Sequence, residues 1–355
     1  MKKNKLNFRK YKLNQLGHLD RGRSRYRPRN HPSLYGGDYP FIQTGEVKAS
    51  NLYINKFKNT YNEKGLRQSK LWPKETLCIT IAANIAETAI LNFPSCFPDS
   101  IVGFIANDKL TETKYIKYYI DYIKTNIQNI SHGTTQDNLS LKKLLLFDFL
   151  IPNNLNVQKK IVSFLSNYDR LIENNIKRIK LLEELAINIY QEWFLNFHFP
   201  GHKDVRFKDT KFGRMPEGWN IESLGNFLVA LESGKRPKGG IDRSVKEIPS
   251  IGAENIDGIA NHNFEKEKYV SYDFYDSLKK GIVRDGDVGI YKDGAFIGKS
   301  TYFGDGFPHK KFCVNEHVFL LRTDNINITQ KILYLWLQQE SNINQIISLN
   351  SNSAQ

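Results

Sequence analysis

The chain has 355 residues, with 51 Lys and Arg against 37 Asp and Glu, a formal charge of +14. That length exceeds what one core usually fills, so two domains and a connector are expected. Three scattered cysteines, Cys78, Cys96 and Cys313, exclude a disulfide framework and a Cys-x-x-Cys zinc site, and no apolar run nears the roughly 18 residues of a membrane span. With no signal peptide ahead of them, these features predict a cytoplasmic protein without a membrane partner.

Residues 1–50 hold twelve Lys or Arg against Asp20, Asp38 and Glu46. Within them Arg21, Arg23, Arg25, Arg27 and Arg29 take every second position, so an extended segment would turn all five to one side. Such a comb suits a polyanion, whose affinity would fall steeply with salt. The plainer reading is a solvated, flexible arm. A strand at 101–104 and a Tyr-rich helix at 114–124 follow, then Ser131-His132-Gly133-Thr134-Thr135-Gln136.

From Val157 to Trp193 the apolar residues Ile161, Phe164, Leu165, Tyr168, Leu171, Ile172, Ile176, Ile179, Leu182, Leu185, Ile189 and Trp193 recur at steps of three and four. This predicts one helix of roughly forty residues, about 60 Å long, with Asn156 as its N-cap. Six basic and five acidic residues nearly cancel along it. Its stripe therefore calls for a helical partner rather than a polyanion, with ordinary domain-core packing as the plainer reading. A polar, aromatic-punctuated linker is expected over 196–218. Beyond it, Asp285-Gly286, Asp293-Gly294 and Asp305-Gly306 mark turns between short strands, including Val288 to Tyr291 and His317 to Leu321.

The two halves repeat one order of features. Leu16-Gly17, Tyr39-Pro40-Phe41-Ile42 with Gly45-Glu46, and Ile101 to Phe104 are matched by Leu224-Gly225, Ile248-Pro249-Ser250-Ile251 with Gly252-Ala253-Glu254, and His317 to Leu320. A helix at 330–340 and Ser351-Asn352-Ser353-Ala354-Gln355 complete the second copy. The fold class is thus α+β: two similar mixed α/β domains, 1–152 and 216–355, joined by a helix at 153–196 and a linker at 197–215.

Catalytic motifs are weak. Gly298-Lys299-Ser300 resembles the end of a phosphate-binding loop, but Asp293 stands where that loop needs glycine. The eight histidines are scattered without a clustered ligand set, so neither metal nor cofactor is expected. Pro98-Asp99 with Glu112-Thr113-Lys114 matches a loose magnesium-nuclease signature, which keeps a nuclease using Asp99, Glu112 and Lys114 as an alternative. Thr111-Glu112 reads equally as a capped helix start.

Asp148-Phe149-Leu150-Ile151-Pro152 leading into Gln158-Lys159-Lys160-Ile161-Val162, then Gln191-Glu192-Trp193-Phe194, Phe199-Pro200-Gly201 and Pro216-Glu217-Gly218-Trp219 with Leu224-Gly225, resemble the DNA-specificity subunit of type I restriction-modification enzymes. The resemblance covers essentially the whole chain. It implies a non-catalytic subunit whose two target-recognition domains each read half of a split site in double-stranded DNA. It also implies a helical spacer that docks adenine methyltransferase subunits, with restriction subunits joining through them. In that family a second spacer helix follows the second recognition domain. This sequence stops at the counterpart of Gln136, so a shortened form is expected whose Ile161, Leu165, Ile172, Ile179 and Leu182 pack, coiled-coil fashion, on another copy, a separate specificity fragment or a methyltransferase.

For phosphate positioning the basic side chains Arg21, Arg23, Arg25, Arg27, Lys48, Lys235, Arg236, Lys238, Lys310 and Lys311 are the candidates. Base reading needs forked or amide groups, which nominates Arg29, Gln43, Asn84, His132 and Gln136 in the first domain and Arg243, Asn255, Lys292, Asn352 and Gln355 in the second. Capping or turn roles compete for each. A stand-alone DNA-binding regulator is the remaining alternative.

Overall fold

The computed structural model describes residues 7–131, 139–211, 213–241, 244–258, 261–304 and 306–351. They form two compact units, Met1–Asn174 and Asn175–Gln355. In chain order the first contains β1 (Phe8–Tyr11), β2 (Gly17–Arg21), β3 (Tyr35–Phe41), α1 (Thr44–Lys48), β4 (Tyr53–Ile54), β5 (Asn59–Tyr61), α2 (Glu63–Arg67), β6 (Leu71–Trp72), β7 (Leu77–Thr80), β8 (Thr88–Leu91), β9 (Ser95–Cys96) and β10 (Ile101–Ala106). Then come α3 (Thr113–Ser131), α4 (Leu141–Leu144), β11 (Phe149–Pro152) and the start of the long α5 (Leu155–Tyr190), whose residues after Asn174 belong to the second unit.

One sheet has the order β2-β10-β7-β8-β4 and another β5-β3-β9-β6. Strands β7, β8 and most of β10 are buried on both faces, which is why their sequences read as continuous apolar runs rather than alternations. One face packs on α3, whose Ile116, Ile120, Ile123 and Ile127 form a helical stripe against Leu77, Ile79, Ile90 and Phe104. The other face meets the second sheet through Trp72, Phe97, Val47 and Leu91. Gly103 belongs there by necessity, since a Cβ would come within 2.6 Å of the Trp72 ring. Helix α3 reaches Ser131, past the expected end at 124.

The second unit comprises β12 (Phe207–Thr210), β13 (Gly213–Pro216), β14 (Leu228–Ser233), β15 (Ile248–Ile251), β16 (Ile256–Asp257), β17 (Asn261–His262), β18 (Lys268–Val270), α6 (Tyr272–Asp276), β19 (Asp287–Tyr291), β20 (Ser300–Phe303), β21 (Cys313–Val314), β22 (Val318–Thr323), α7 (Gln330–Leu337) and α8 (Glu340–Ser351). Its sheets run β14-β22-β19-β20 and β18-β15-β21. This is the strand order of the first unit without its edge strands β4 and β6. In the second sheet of each unit one strand makes one antiparallel and one parallel pairing, β3 with β5 and β9, β15 with β18 and β21.

Register makes the duplication specific. Phe41 faces Cys96 in the parallel pair of the first unit, and Ser250 faces Cys313 in the second. The Pro40 and Pro249 match holds, and Cys96 and Cys313 prove to be counterparts. The match of Leu16-Gly17 with Leu224-Gly225 does not hold. Gly17 pairs with Ala106 and Leu228 with Thr323, so Leu16-Gly17 corresponds to Phe227-Leu228, three residues on. The expected helix at 330–340 is two helices, α7 and α8.

Asn154, not Asn156, caps α5: its side chain accepts the Asn156 amide at 2.9 Å and its carbonyl accepts the Val157 amide at 3.0 Å. Gln158 explains the motif around it. Fully buried, it accepts the Thr111 hydroxyl at 2.8 Å and donates to the carbonyls of Leu110 and Pro152, fastening the first turn to the unit. Thr111 is therefore committed to α5 rather than to capping α3. Helix α5 is 36 residues long and passes into a π-helical turn at Gln191–Leu195. The linker is more ordered than its polarity suggests. It contains the β12–β13 hairpin, and Trp219 stacks on Phe199 at 5.6 Å beside Phe194 and Phe197.

Candidate nucleic-acid interface

The basic comb in the first unit is anchored, which removes the flexible-arm reading. Beyond β2, the Gly22 amide donates to the Ile101 carbonyl at 2.8 Å and the Arg23 amide to the Phe97 carbonyl at 3.0 Å. The Gln68 side chain accepts the amides of Arg25 and Tyr26, and the Ser69 hydroxyl donates to the Arg23 carbonyl. Gly22 and Ser24 face inward while Arg21, Arg23 and Arg25 are exposed, so the predicted alternation is realised there. Arg27 and Arg29 are exposed in the turn that follows.

These arginines border the turn after β9. Arg21 donates through Nε and Nη2 to the Asp99 carbonyl at 2.9 and 2.6 Å, and Arg29 pairs with the Asp99 carboxylate at 2.9 Å. The other carboxylate oxygen, Oδ1, is shielded from solvent and has no hydrogen-bond partner. A cavity of about 320 Å³ lies between Arg21, Arg29, Asp99 and the Ile81-Ala82 end of β7. A second of about 230 Å³ is bordered by Arg29, Asn30, Gln43, Thr44 and Ser100. Lys70 is spent elsewhere: with the Arg21 amide it holds the Asp20 carboxyl below the usual range, although burial alone would raise it.

The second unit repeats this arrangement with different residues. Gly234 takes the place of Gly22, its amide donating to the Val318 carbonyl where Gly22 donates to Ile101. In neither position is there room for a side chain: a Cβ would meet the Pro98 oxygen at 2.3 Å or the Val314 oxygen at 2.0 Å. Ser233 replaces Arg21 and donates to the Glu316 carbonyl, the counterpart of the Asp99 carbonyl. Arg236 approaches the Glu316 carboxylate at 3.6 Å, as Arg29 approaches Asp99. Lys292 donates to the Ser233 hydroxyl at 3.0 Å, and His317 bonds Asp293 at 2.8 Å.

Arg21, Arg23, Arg25, Arg27, Arg29, Gln43 and Asn84 thus share one end of the first unit's sheets. Lys235, Arg236, Lys238 and Lys292 share the matching end of the second. Lys48 is exposed at the last turn of α1. Three candidates are corrected. Asn255 is 1% exposed, and its amide accepts the Gly252 N–H and donates to the Asn263 carbonyl, the turn-holding role Glu46 plays for Gln43. Lys310 and Lys311 precede β21, at the opposite end from Glu316, where Lys311 lies over Tyr275 and near Asp276. His132, Gln136, Arg243, Asn352 and Gln355 lie outside the described residues.

Asp99 and Glu316 were legible only in part. Each stands three residues after the matched cysteines, a signal visible once Cys96 and Cys313 are aligned. The nuclease set does not converge. Lys114 lies over Tyr53, in the row of Tyr53, Ile90, Leu77 and Phe104, while Asp99 precedes the opposite end of β10. Nor does Asp293 to Ser300 open an α-helix; after a single 3-10 turn at Gly294–Phe296 it leads into β20, with Asp293 bonded to His317. One histidine expectation fails: His262 and His309 meet at Glu267.

Two copies of one mixed α/β domain, each presenting a basic arc beside an acidic turn, make up a protein of the two-headed DNA-reading class. A family profile described as the type I restriction modification DNA specificity domain matches residues 5–184, half of the chain. The type I restriction enzyme MjaIX specificity subunit of Methanocaldococcus jannaschii is 27% identical over 317 residues, 86% of this chain and 70% of that protein. The MjaVIII specificity subunit of the same organism is 21% identical over 268 residues, covering 76% of this chain and 60% of that one. A crystal structure of a type I restriction-modification S subunit from M. genitalium shares the fold, with a TM-score of 0.52 at 15% identity, covering 99% of this chain and 81% of that one. This chain belongs to the specificity-subunit family of type I restriction-modification systems. No helix among the described residues is long and apolar enough to cross a membrane.

Proposed function

We propose that each unit reads one half of a split DNA site through the arc beside its acidic turn, and that the chain performs no bond-making step itself. The observation that carries this reading is the reuse of one strand order, one side-chain-free crossing and one basic–acidic pair in both units, with the outward residues changed. Reuse of the frame with altered reading residues suits two different half-sites. Exposed arginines beside the cavities would set register on phosphates, and Arg29 and Gln43 have the forked or amide groups that distinguish base edges. The Asp99 Oδ1 atom is an acceptor of the kind that takes a cytosine amino group.

Partner subunits follow from α5. Phe164, Leu171, Ile172, Ile176, Leu182 and Leu185 are each at least half exposed, a surface that suits docking of methyltransferase subunits and, through them, restriction subunits. A second copy or a separate specificity fragment would suit the same stripe.

Salt titrations separate the two kinds of contact. Arg23→Ala should weaken binding to all sequences alike and lower the salt slope by about one, whereas Arg29→Ala should relax preference at one position by about 1–3 kcal/mol. Equal affinity and equal slope for both variants and the parent would remove the arc from the interface.

A further inference from the structure

Away from the basic arc, three side chains distant in sequence meet in the second unit. His262 ends β17, Glu267 follows the short turn Phe264–Lys266, and His309 lies between β20 and β21. His262 Nε2 is 2.5 Å from Glu267 Oε1, His309 Nε2 contacts the same oxygen, and one ligand atom from each residue lies within 4.8 Å of the others. The His262 and Glu267 side chains are 6% and 4% exposed, and His309 is 20% exposed. The second Glu267 oxygen accepts the Tyr269 hydroxyl at 2.5 Å, and Phe264 and Phe307 set their edges against the His262 ring.

We propose that His262, Glu267 and His309 form a binding site for one divalent transition-metal ion of the zinc class, held by the two Nε2 atoms and a Glu267 oxygen. Two imidazoles with one carboxylate suit such an ion, whereas magnesium and calcium favour ligand sets made of oxygen. Bonds of about 2.0–2.1 Å place tetrahedral ligand atoms roughly 3.4 Å apart, so the cluster needs to open by about 1 Å. His309, partly exposed and outside any strand, can supply its share of that opening, the His262–Glu267 contact has to lengthen through the Glu267 side chain, and a fourth position is left for water.

The Glu267 carboxylate accepts from Tyr269, His309 and His262 together. An empty cluster makes both imidazoles donate to one oxygen; an ion gives each ligand its own bond. The Tyr269 hydroxyl already orients the carboxylate, as outer partners do at metal sites. Nδ1 of His262 has no such partner, so affinity should fall below that of a closed four-ligand site. The bound ion would pin the 262–267 turn to the loop carrying His309.

The test is titration of the purified, chelator-stripped full chain with Co²⁺, followed by displacement with Zn²⁺. One Co²⁺ per chain, with the visible absorption of a low-symmetry site and no competition from Mg²⁺, is the expected result. His309→Gln and Glu267→Gln should abolish it, while Tyr269→Phe should weaken it by about 10- to 100-fold. Thermal melting of His309→Gln, whose side chain lies in a partly exposed loop, shows whether that variant is folded. Absence of stoichiometric binding by the parent chain overturns the proposal. So does undiminished binding by His309→Gln, which would place the ion elsewhere, for example at His198 and His202, whose rings are 5.4 Å apart.

Discussion

Arg322→Ala should destabilise the second unit by about 3–5 kcal/mol, because it strands a buried carboxylate. Arg322 lies on β22 with its side chain 9% exposed. Its Nε and Nη2 atoms grip the two oxygens of Asp287 at 2.7 Å each, Nη1 reaches Glu232 at 2.7 Å, and Nη2 also serves the Ile282 carbonyl. Burial would lower the guanidinium pKa, but Asp287 and Glu232 more than reverse this and raise it, so it stays charged throughout the working range. Three strands, β14, β19 and β22, depend on that one side chain. For a unit of this size, the loss corresponds to a melting shift of roughly 6–20 °C, since each kcal/mol moves Tm by about 2–4 °C.

The equivalent place in the first unit shows that ions are not essential there. By register, Ile105 and Thr76 stand where Arg322 and Asp287 stand, and the Thr76 hydroxyl bonds the Pro73 carbonyl. Arg322→Met combined with Asp287→Leu should therefore recover most of the loss, in line with apolar replacement of buried ion groups. Differential scanning calorimetry checks both variants. A melting curve for Arg322→Ala within a degree of the parent would show that the pair is solvent-relaxed and unimportant.

Charging the stripe of α5 should disable assembly without unfolding the chain. Ile172 and Ile179 are 50% and 37% exposed, so Ile172→Glu with Ile179→Glu costs little in the isolated protein. Burying the half and the third of these side chains still exposed contributes roughly 0.5–1.5 kcal/mol each, so losing both weakens docking by about 10- to 100-fold. Calorimetric titration with the methyltransferase subunit measures this directly. Unchanged affinity, with an unchanged melting curve, would move the docking surface off this stripe.

Helix α5 was readable because its signal is local: one apolar period over many turns needs no knowledge of distant residues. The duplication was readable in outline through Pro40 and Pro249, but not in register at the first strand. There Leu-Gly is too short a match to resist a three-residue slip, and only pairing to β10 and β22 fixes it. The basic comb was visible as alternation, yet its anchoring was not, because Gln68, Ser69 and Phe97 reach it from far along the chain. Asn255 misled for a physical reason: an amide suited to reading adenine is equally suited to closing a turn. The His262, Glu267 and His309 cluster was invisible because His309 arrives from 42 residues beyond Glu267.

Two related units, each with its own basic arc, are expected to select the two halves of one DNA site for a modification enzyme. Genome-wide mapping of modified adenines tests it most directly, in cells with the gene, without it, and with either arc altered by Arg29→Ala or Arg236→Ala. The expected result is a split motif with a fixed gap that vanishes with the gene, with each arc variant relaxing one half only. A modification pattern identical in all four strains, or both halves relaxing together in each variant, would contradict it.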